Sequence, residues 1–146
     1  MIDIVAIGVH PDDVELHCAG ILLSHKAQGY STAIIDLTKG ELGTNGSVEK
    51  RKEEAANAAK ILGLDARINI GLADGFFENN EESQRKLIVA IRQLRPKIIL
   101  LPALHDRHPD HGRGADLCRD AVFYSGLKKI ETYYEGNSQE AYRPPS

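Results

Sequence analysis

Four short apolar runs, separated by segments of helical length, decide most of what this chain can become. "MIDIVAIG", "STAIIDLT", "ARINIG" and "KIILLP" are rich in Ile, Leu and Val, which is how strands buried on both faces read. Between the first two, Val14, Ala19, Leu22, Leu23 and Ala27 recur at helical spacing from Asp13, and Gly29 stands where a helix stops. A second helix begins at Ser47, behind the glycine-rich "KGELGTNGS", and runs to about Gly63. Its stripe of Ala55, Ala58, Ala59 and Leu62 is small enough to lie close to a sheet. A third, Glu81 to Leu94, carries Leu87, Ile88, Ile91 and Leu94 on one face and ends before Pro96. "ALHDRHPDHGRG" reads as a loop, followed by a helix from about Ala115 to Tyr124 and by "KKIETYY" as a fifth strand. Strands alternating with helices need crossover connections, which are right-handed almost without exception. The expected fold class is therefore α/β: a Rossmann-like parallel sheet with helices on both faces, in one domain spanning residues 1–146.

Such a sheet binds ligands beyond the carboxyl ends of its strands. The loops that fall there are "VHPDD", "KGELGTNG", "LADGFF" and "HDRHPDH". His10-Pro11-Asp12-Asp13 alone is adequately explained as helix capping, since proline and acids suit a first helical turn. A second His-Pro-Asp at His108 to Asp110 changes that, because a cap needs no histidine and four of the six histidines lie in these two loops. Imidazole and carboxylate together suit zinc, and a catalytic zinc takes three protein ligands and leaves a position for water. Asp12 and Asp13 are adjacent and project differently, so one can bind the metal while the other accepts a proton from water. His105, His108 and His111 are spaced three apart, and spacing does not say which is the ligand.

Composition narrows the partner. The net charge is -3, the basic residues are scattered, Trp is absent and aromatics make up 5%. Those features argue against a nucleic-acid surface, a polybasic membrane surface or a stacking platform, and for a small molecule held by polar groups. The opening apolar run is too short for a membrane helix and has no basic leader. Cys18 and Cys118 form no C-x-x-C motif, so the expected setting is a reducing cytoplasm.

"GVHPDDVEL", "TKGELGTNG", Arg51 followed by Glu54, and "DRHPDH" together resemble the LmbE-like, or PIG-L-type, zinc-dependent N-acetylglucosamine deacetylases. "DLTKGELGTNG", "LGLADGFF" and "DRHPDHGRG" are most like the bacterial branch that deacetylates N-acetylglucosaminyl malate in bacillithiol biosynthesis. The resemblance implies that His10, Asp13 and His111 bind Zn2+, or another divalent transition metal in its place. It makes Asp12 the general base, which takes the proton of the attacking water and returns it to the sugar amine. It gives His108 the developing oxyanion and Asp110 the orientation of a histidine. Arg51 and Arg107 become candidates for malate or sugar oxygens, since arginine pairs bidentately with carboxylates. Glu41 and Asp74 become candidates for sugar hydroxyls.

The chain departs from the family pattern in two places. His17 and Cys18 stand where small residues are usual, and are expected to pack or to face solvent. Relatives also continue for several elements that close the sheet and part of the pocket, whereas this sequence stops at "YRPPS". A C-terminally shortened domain is therefore expected, its substrate wall missing or supplied by partner subunits of a homo-oligomer. Two rivals remain. A deacetylase of another N-acetyl sugar or N-acyl conjugate would keep the motifs, and so would an inactive metal-binding Rossmann-like module. A nucleotide-binding module could use Asp36 at the end of the second strand, but the first turn is not G-x-G-x-x-G and its carboxylates would repel a pyrophosphate.

Overall fold

The structure is a computed structural model that describes residues 1–146. Four parallel strands, β1 (Ile4–Gly8), β2 (Thr32–Thr38), β3 (Ala66–Leu72) and β4 (Ile98–Leu100), form one sheet in the order β3-β2-β1-β4. Every residue of β1 and β2 is buried, as their unbroken apolar runs demand. Side chains alternate between two cores. Val5, Ile7, Ala33, Ile35 and Leu37 face the larger one, with α4 (Glu81–Leu94) and α5 (Pro109–Ser125). Ile4, Ala6 and Ile34 face the smaller one, with Val14 of α1 (Asp13–His17), Leu22 of α2 (Ala19–Ala27) and Leu62 of α3 (Val48–Leu62). The sheet is therefore the centre of an α/β sandwich with helices on both faces, as expected.

Helix α4 has the predicted bounds, and Leu87, Ile88, Ile91 and Leu94 are all buried. Asn80 caps its start by accepting from the amide of Ser83. Helix α3 also begins where expected, with Ser47 accepting from the amide of Lys50.

Four expectations are corrected. The helix expected over Asp13 to Ala27 breaks at Cys18, whose φ of -141° and ψ of 15° are not helical. The alanine stripe of α3 does not lie flush on the sheet. A cavity of about 620 Å³ lies between Ala55, Ala56 and Ala59 on one side and Asp36, Arg67 and Asn69 on the other. The last helix begins at Pro109, not Ala115, because proline at the first helical position needs no N–H partner and His108 supplies the cap. "KKIETYY" adds no fifth strand to the sheet. Only Tyr133–Tyr134 is extended, and it pairs antiparallel with Asn137–Ser138 as β5 and β6 of a separate hairpin.

That segment is tied down by Arg92 of α4, which is 4% exposed. Its guanidinium donates to the carbonyls of Ser125, Leu127 and Ile130 and to Thr132 Oγ1. Carbonyls at and beyond the end of α5 thus meet a positive charge, those of Ser125 and Leu127 while also accepting the amides of Tyr142 and Ile130. No helix is long and apolar enough to cross a membrane.

Strand order places the site. From β1 the chain steps outward through β2 and β3, then returns to lay β4 on the other side of β1. The order reverses between β1 and β4, and a crevice opens there beyond the carboxyl ends of the strands. The two His-Pro-Asp loops leave β1 and β4 at that point.

Candidate active site

The first loop is held by almost every polar group it has. The carbonyl of Val9 accepts from the amide and hydroxyl of Thr38, 2.9 and 3.0 Å away. Asp13 turns back and takes the amides of Val9 and His10 on Oδ2, at 3.0 and 2.9 Å. It therefore tethers the loop that precedes it instead of capping α1. Asp12 sits at the N-cap, yet its side chain makes no capping bond. Its carboxylate stays exposed, and it lines cavities of about 380 and 320 Å³ together with Arg51.

In the second loop, Pro109 begins the helix, so His108 is the cap and His111 lies in the first turn. Asp106 accepts from the amide of His108 with one oxygen and meets His111 Nδ1 at 2.9 Å with the other. His10, Asp13 and His111 converge, each with a ligating atom within 4.8 Å of the others. His10 Nδ1 is 3.5 Å and His111 Nε2 is 3.3 Å from Asp13 Oδ2. Outer nitrogens are engaged elsewhere: His10 Nε2 meets Asp74 Oδ1 at 3.0 Å, and His111 Nδ1 meets Asp106. A neutral imidazole that donates through one nitrogen presents a lone pair at the other. Both histidines can therefore offer bare nitrogens toward Asp13, each backed by a carboxylate, which is how metal-binding histidines are held. Two imidazoles and a carboxylate fit a divalent transition metal with open positions.

Electrostatics follow from this crowding. The hydrogen bond that the His10 imidazole donates to the Asp13 carboxylate pushes its pKa up to about 9, burial opposing and the Asp74 charge assisting. Burial opposes ionisation of Asp13, but the hydrogen bonds from His10 and its backbone hold that carboxyl below the usual range. The His108 amide and the His111 ring do the same for Asp106. A dense group of acids thus favours positive charge here, whether protons or a cation.

His108 is placed differently. Its ring stacks on His111 with centroids 4.8 Å apart, and its Nδ1 accepts from the amide of Asp110 at 3.2 Å. With Nδ1 an acceptor, the neutral ring carries its proton on Nε2 and is a donor in the cavity that it lines with His10 and Asp12. His105 is exposed and stands outside the triad.

Other predicted residues are distributed unevenly. Asp110 is 2% exposed; it accepts from the amide of Gly75 at 2.8 Å and from Arg113 at 3.1 Å, with His10 Nε2 3.6 Å away. Asp74 is also buried, and its second oxygen accepts from the amide of Leu42. The exposed Glu41 accepts from the amide of Asp74. Arg51 packs between glycines. A Cβ on Gly43 would stand 2.4 Å from Arg51 Nη2, and one on Gly40 would stand 2.9 Å from Nη1. The glycine-rich loop thus lies flat on the guanidinium and turns it toward the cavity. Arg107 is exposed and lines none of the cavities that flank the triad.

Three contributors escaped sequence reasoning: Asp106, Thr38 and Arg113. For Asp106 a signal existed, since an acid two residues before a capping histidine can take that histidine's amide. Thr38 acts across the fold and leaves no local pattern, whereas Arg113 follows Asp110 at the i, i+3 spacing of a helical ion pair, which shows only once the helix is known to begin at Pro109. Asp36, the nucleotide-binding alternative, is 2% exposed and paired with Arg67.

Comparison with known proteins gives this geometry a context. The family described as GlcNAc-PI de-N-acetylase, PIG-L, matches residues 5–122. The chain belongs to the PIG-L family. Among its relatives, the uncharacterized deacetylase YaiS of Escherichia coli (strain K12) is 35% identical over 114 residues, which are 74% of this chain and 61% of YaiS. The conserved protein TT1542 from Thermus thermophilus superposes with a TM-score of 0.91 at 43% identity, over 99% of this chain and 64% of that one. N,N'-diacetylchitobiose deacetylase from Pyrococcus horikoshii shares the fold, with a TM-score of 0.80 at 23% identity over 88% of this chain and 52% of that one. The PIG-L chain described here thus spans less than two thirds of each of these proteins. All of the first His-Pro-Asp motif and all of the second lie inside the matched residues.

Proposed function

We propose that this protein is a zinc-dependent N-deacetylase that hydrolyses the acetamide of an N-acetylglucosaminyl conjugate. N-acetylglucosaminyl malate is the preferred candidate, giving acetate and glucosaminyl malate in bacillithiol biosynthesis. One observation carries the reading: an uncommitted carboxylate, Asp12, stands beside a triad of His10, Asp13 and His111 whose outer nitrogens are backed by Asp74 and Asp106. Relatives named as deacetylases lend it support.

His10 through Nδ1, His111 through Nε2 and the Asp13 carboxylate would hold the metal. A bound divalent ion supplies Lewis acidity toward the amide carbonyl and makes water a better proton donor. Asp12, free of hydrogen bonds to its own helix, takes the proton from the attacking water. His108, with its proton on Nε2, donates to the oxygen on which charge develops. When the C–N bond breaks, Asp12 returns the proton to the departing amine, so water ends up divided between acetate and amine. Arg51, held by close packing and without a carboxylate partner, is the group for the carboxylates or hydroxyls of the conjugate. The cavity lined by His10, Asp12, Arg51, Asp74 and His108 is about 320 Å³, within the range of small-molecule sites, roughly 300–1,000 Å³.

The test is acetate release by the zinc-loaded protein from N-acetylglucosaminyl malate and, in parallel, from N-acetylglucosamine. Preferential turnover of the malate conjugate is expected. Equal turnover of both sugars would contradict the malate assignment, and zinc binding without turnover of any N-acetyl sugar would contradict the deacetylase.

A further inference from the structure

Beneath the first His-Pro-Asp loop lies a guanidinium that belongs neither to the triad nor to the substrate cavity. Arg67 projects from β3 with its side chain 9% exposed, and all five of its N–H donors have acceptors. Nε and Nη2 grip both oxygens of Asp36 on β2, at 2.7 and 3.0 Å. Nη1 meets Glu15 of α1 and, at 3.2 Å, the Ala55 carbonyl of α3. The remaining donor, on Nη2, reaches the carbonyl of Pro11 at 2.9 Å.

That last bond concerns the chemistry. Within the loop, the Val9 carbonyl is held by Thr38, that of His10 by the amide of Asp13 and that of Asp12 by the amide of Leu16. No backbone amide reaches the carbonyl of Pro11. The N–H of the same peptide unit belongs to Asp12 and meets no backbone acceptor, so the unit directly before Asp12 depends on Arg67 for its orientation. The same guanidinium is fixed in turn by Asp36, whose side chain is 3% exposed. A bidentate pair of this kind sets direction as well as distance.

We infer that Arg67 is a positioning residue: by holding the Pro11 carbonyl, it aims the Asp12 carboxylate and the His10 imidazole at the reacting centre. Arg67 lines none of the cavities that contain the triad, so it touches neither substrate nor metal. The inference rests on the deacetylase reading for its kinetic readout and on geometry alone for its metal readout.

A simple deletion is a poor test, because Arg67→Met strands the buried Asp36 carboxylate and destabilises the fold. The informative variant is Arg67→Met with Asp36→Leu. Replacing both members of the buried bidentate pair by apolar groups of similar size tends to keep stability, and Glu15, whose side chain is 22% exposed, turns to water, while the donor to Pro11 is gone. Arg67→Lys is the second variant, since it keeps the charge but has three donors to set against five acceptors.

Expected for the double variant is an unfolding midpoint near that of the wild type, a kcat lower on the order of 10²-fold, and an unchanged KM. Its Co2+ affinity should fall about 10-fold in a competition titration followed by Co2+ absorption. Arg67→Lys should show a smaller loss of kcat, again at constant KM, and carries the test should the double variant not fold. A folded variant with the wild-type kcat would overturn the inference. If the wild type itself turns nothing over, the deacetylase reading fails instead, and Co2+ affinity decides: a loss supports the role of Arg67, and wild-type affinity in both variants removes it.

Discussion

Asp106 and Asp74 do the same job from opposite sides of the triad. Each takes the outer nitrogen of one histidine, at 2.9 Å on His111 and 3.0 Å on His10. Such contacts fix which nitrogen faces the metal, and removing one typically weakens binding by about 10- to 100-fold. Asp106 is the cleaner probe because it lies in the exposed loop, where its loss should disturb little packing. Asp106→Asn is therefore expected to lower zinc affinity in that range with almost no change in thermal midpoint, which a chelator competition beside a melting curve will show. Unchanged affinity would mean that His111 is oriented by its helix alone. At this scale the sequence was partly legible. His10, Asp12, Asp13, His108 and His111 could be picked out because His-Pro-Asp recurs at the carboxyl ends of two strands and a cap needs no histidine. The choice among His105, His108 and His111 needed the helix boundary, which Pro109 marks.

Helix α5 shows how an element can be misread and why its position matters. Gly112 and Gly114 made "DHGRG" resemble a loop, but both are helical. Gly114 is there for close approach: a Cβ would stand 2.6 Å from Val9 Cγ2 and 3.3 Å from Leu37 Cδ1. The helix that carries His111 thus lies against the end of β1, one residue before His10. Gly114→Ala gains helix propensity but forces the helix away from Val9, and overpacking of this kind costs roughly 1–3 kcal/mol. Urea unfolding should show that loss, together with weaker zinc binding as His111 recedes from Asp13; a more stable protein with intact zinc affinity would contradict the packing argument. Strands were easier to read than helix ends, because β1 and β2 are buried on both faces and must be apolar throughout. The expected fifth strand failed for the converse reason. "KKIETYY" has extended propensity but its only ladder partner is a two-residue stretch of the adjoining hairpin.

Across the whole molecule, the two ends of the sheet serve different purposes. Acids at the carboxyl ends of the strands converge on the triad. Acids at the other end tie the strands together: Asp3 accepts from the Ser31 amide and hydroxyl before β2 and from Lys97 before β4. Asp65 links Lys26 of α2 to the Thr32 amide at the start of β2. The hydrogen bond from Lys97 and those from Ser31 hold Asp3 well below the usual carboxylate range, and Lys26 and Thr32 lower Asp65. A carboxyl whose folded pKa is depressed stabilises the fold above its unfolded value, near 3.8, and loses that contribution as the pH falls further. Unfolding midpoints should therefore drop as the pH is taken from about 5 to about 3, and less steeply in Asp3→Asn. An identical slope in that variant would place the acid sensitivity elsewhere. The architecture as a whole was legible because alternating strands and helices of this length admit few topologies. The standing of α3 off the sheet was not, since it depends on Arg67 reaching from β3 to the Ala55 carbonyl, a contact with no signature in either segment.

The proposed function depends most on the separation of two roles, a triad that would hold the metal and an Asp12 that would move the proton. Zinc content and acetate release, measured on the same preparations of wild type, Asp12→Asn and His10→Ala, address it directly. Asp12→Asn is predicted to keep full zinc and to lose turnover by about 10²- to 10⁴-fold, while His10→Ala loses both. Wild-type turnover in zinc-loaded Asp12→Asn, or full zinc in His10→Ala, would contradict it.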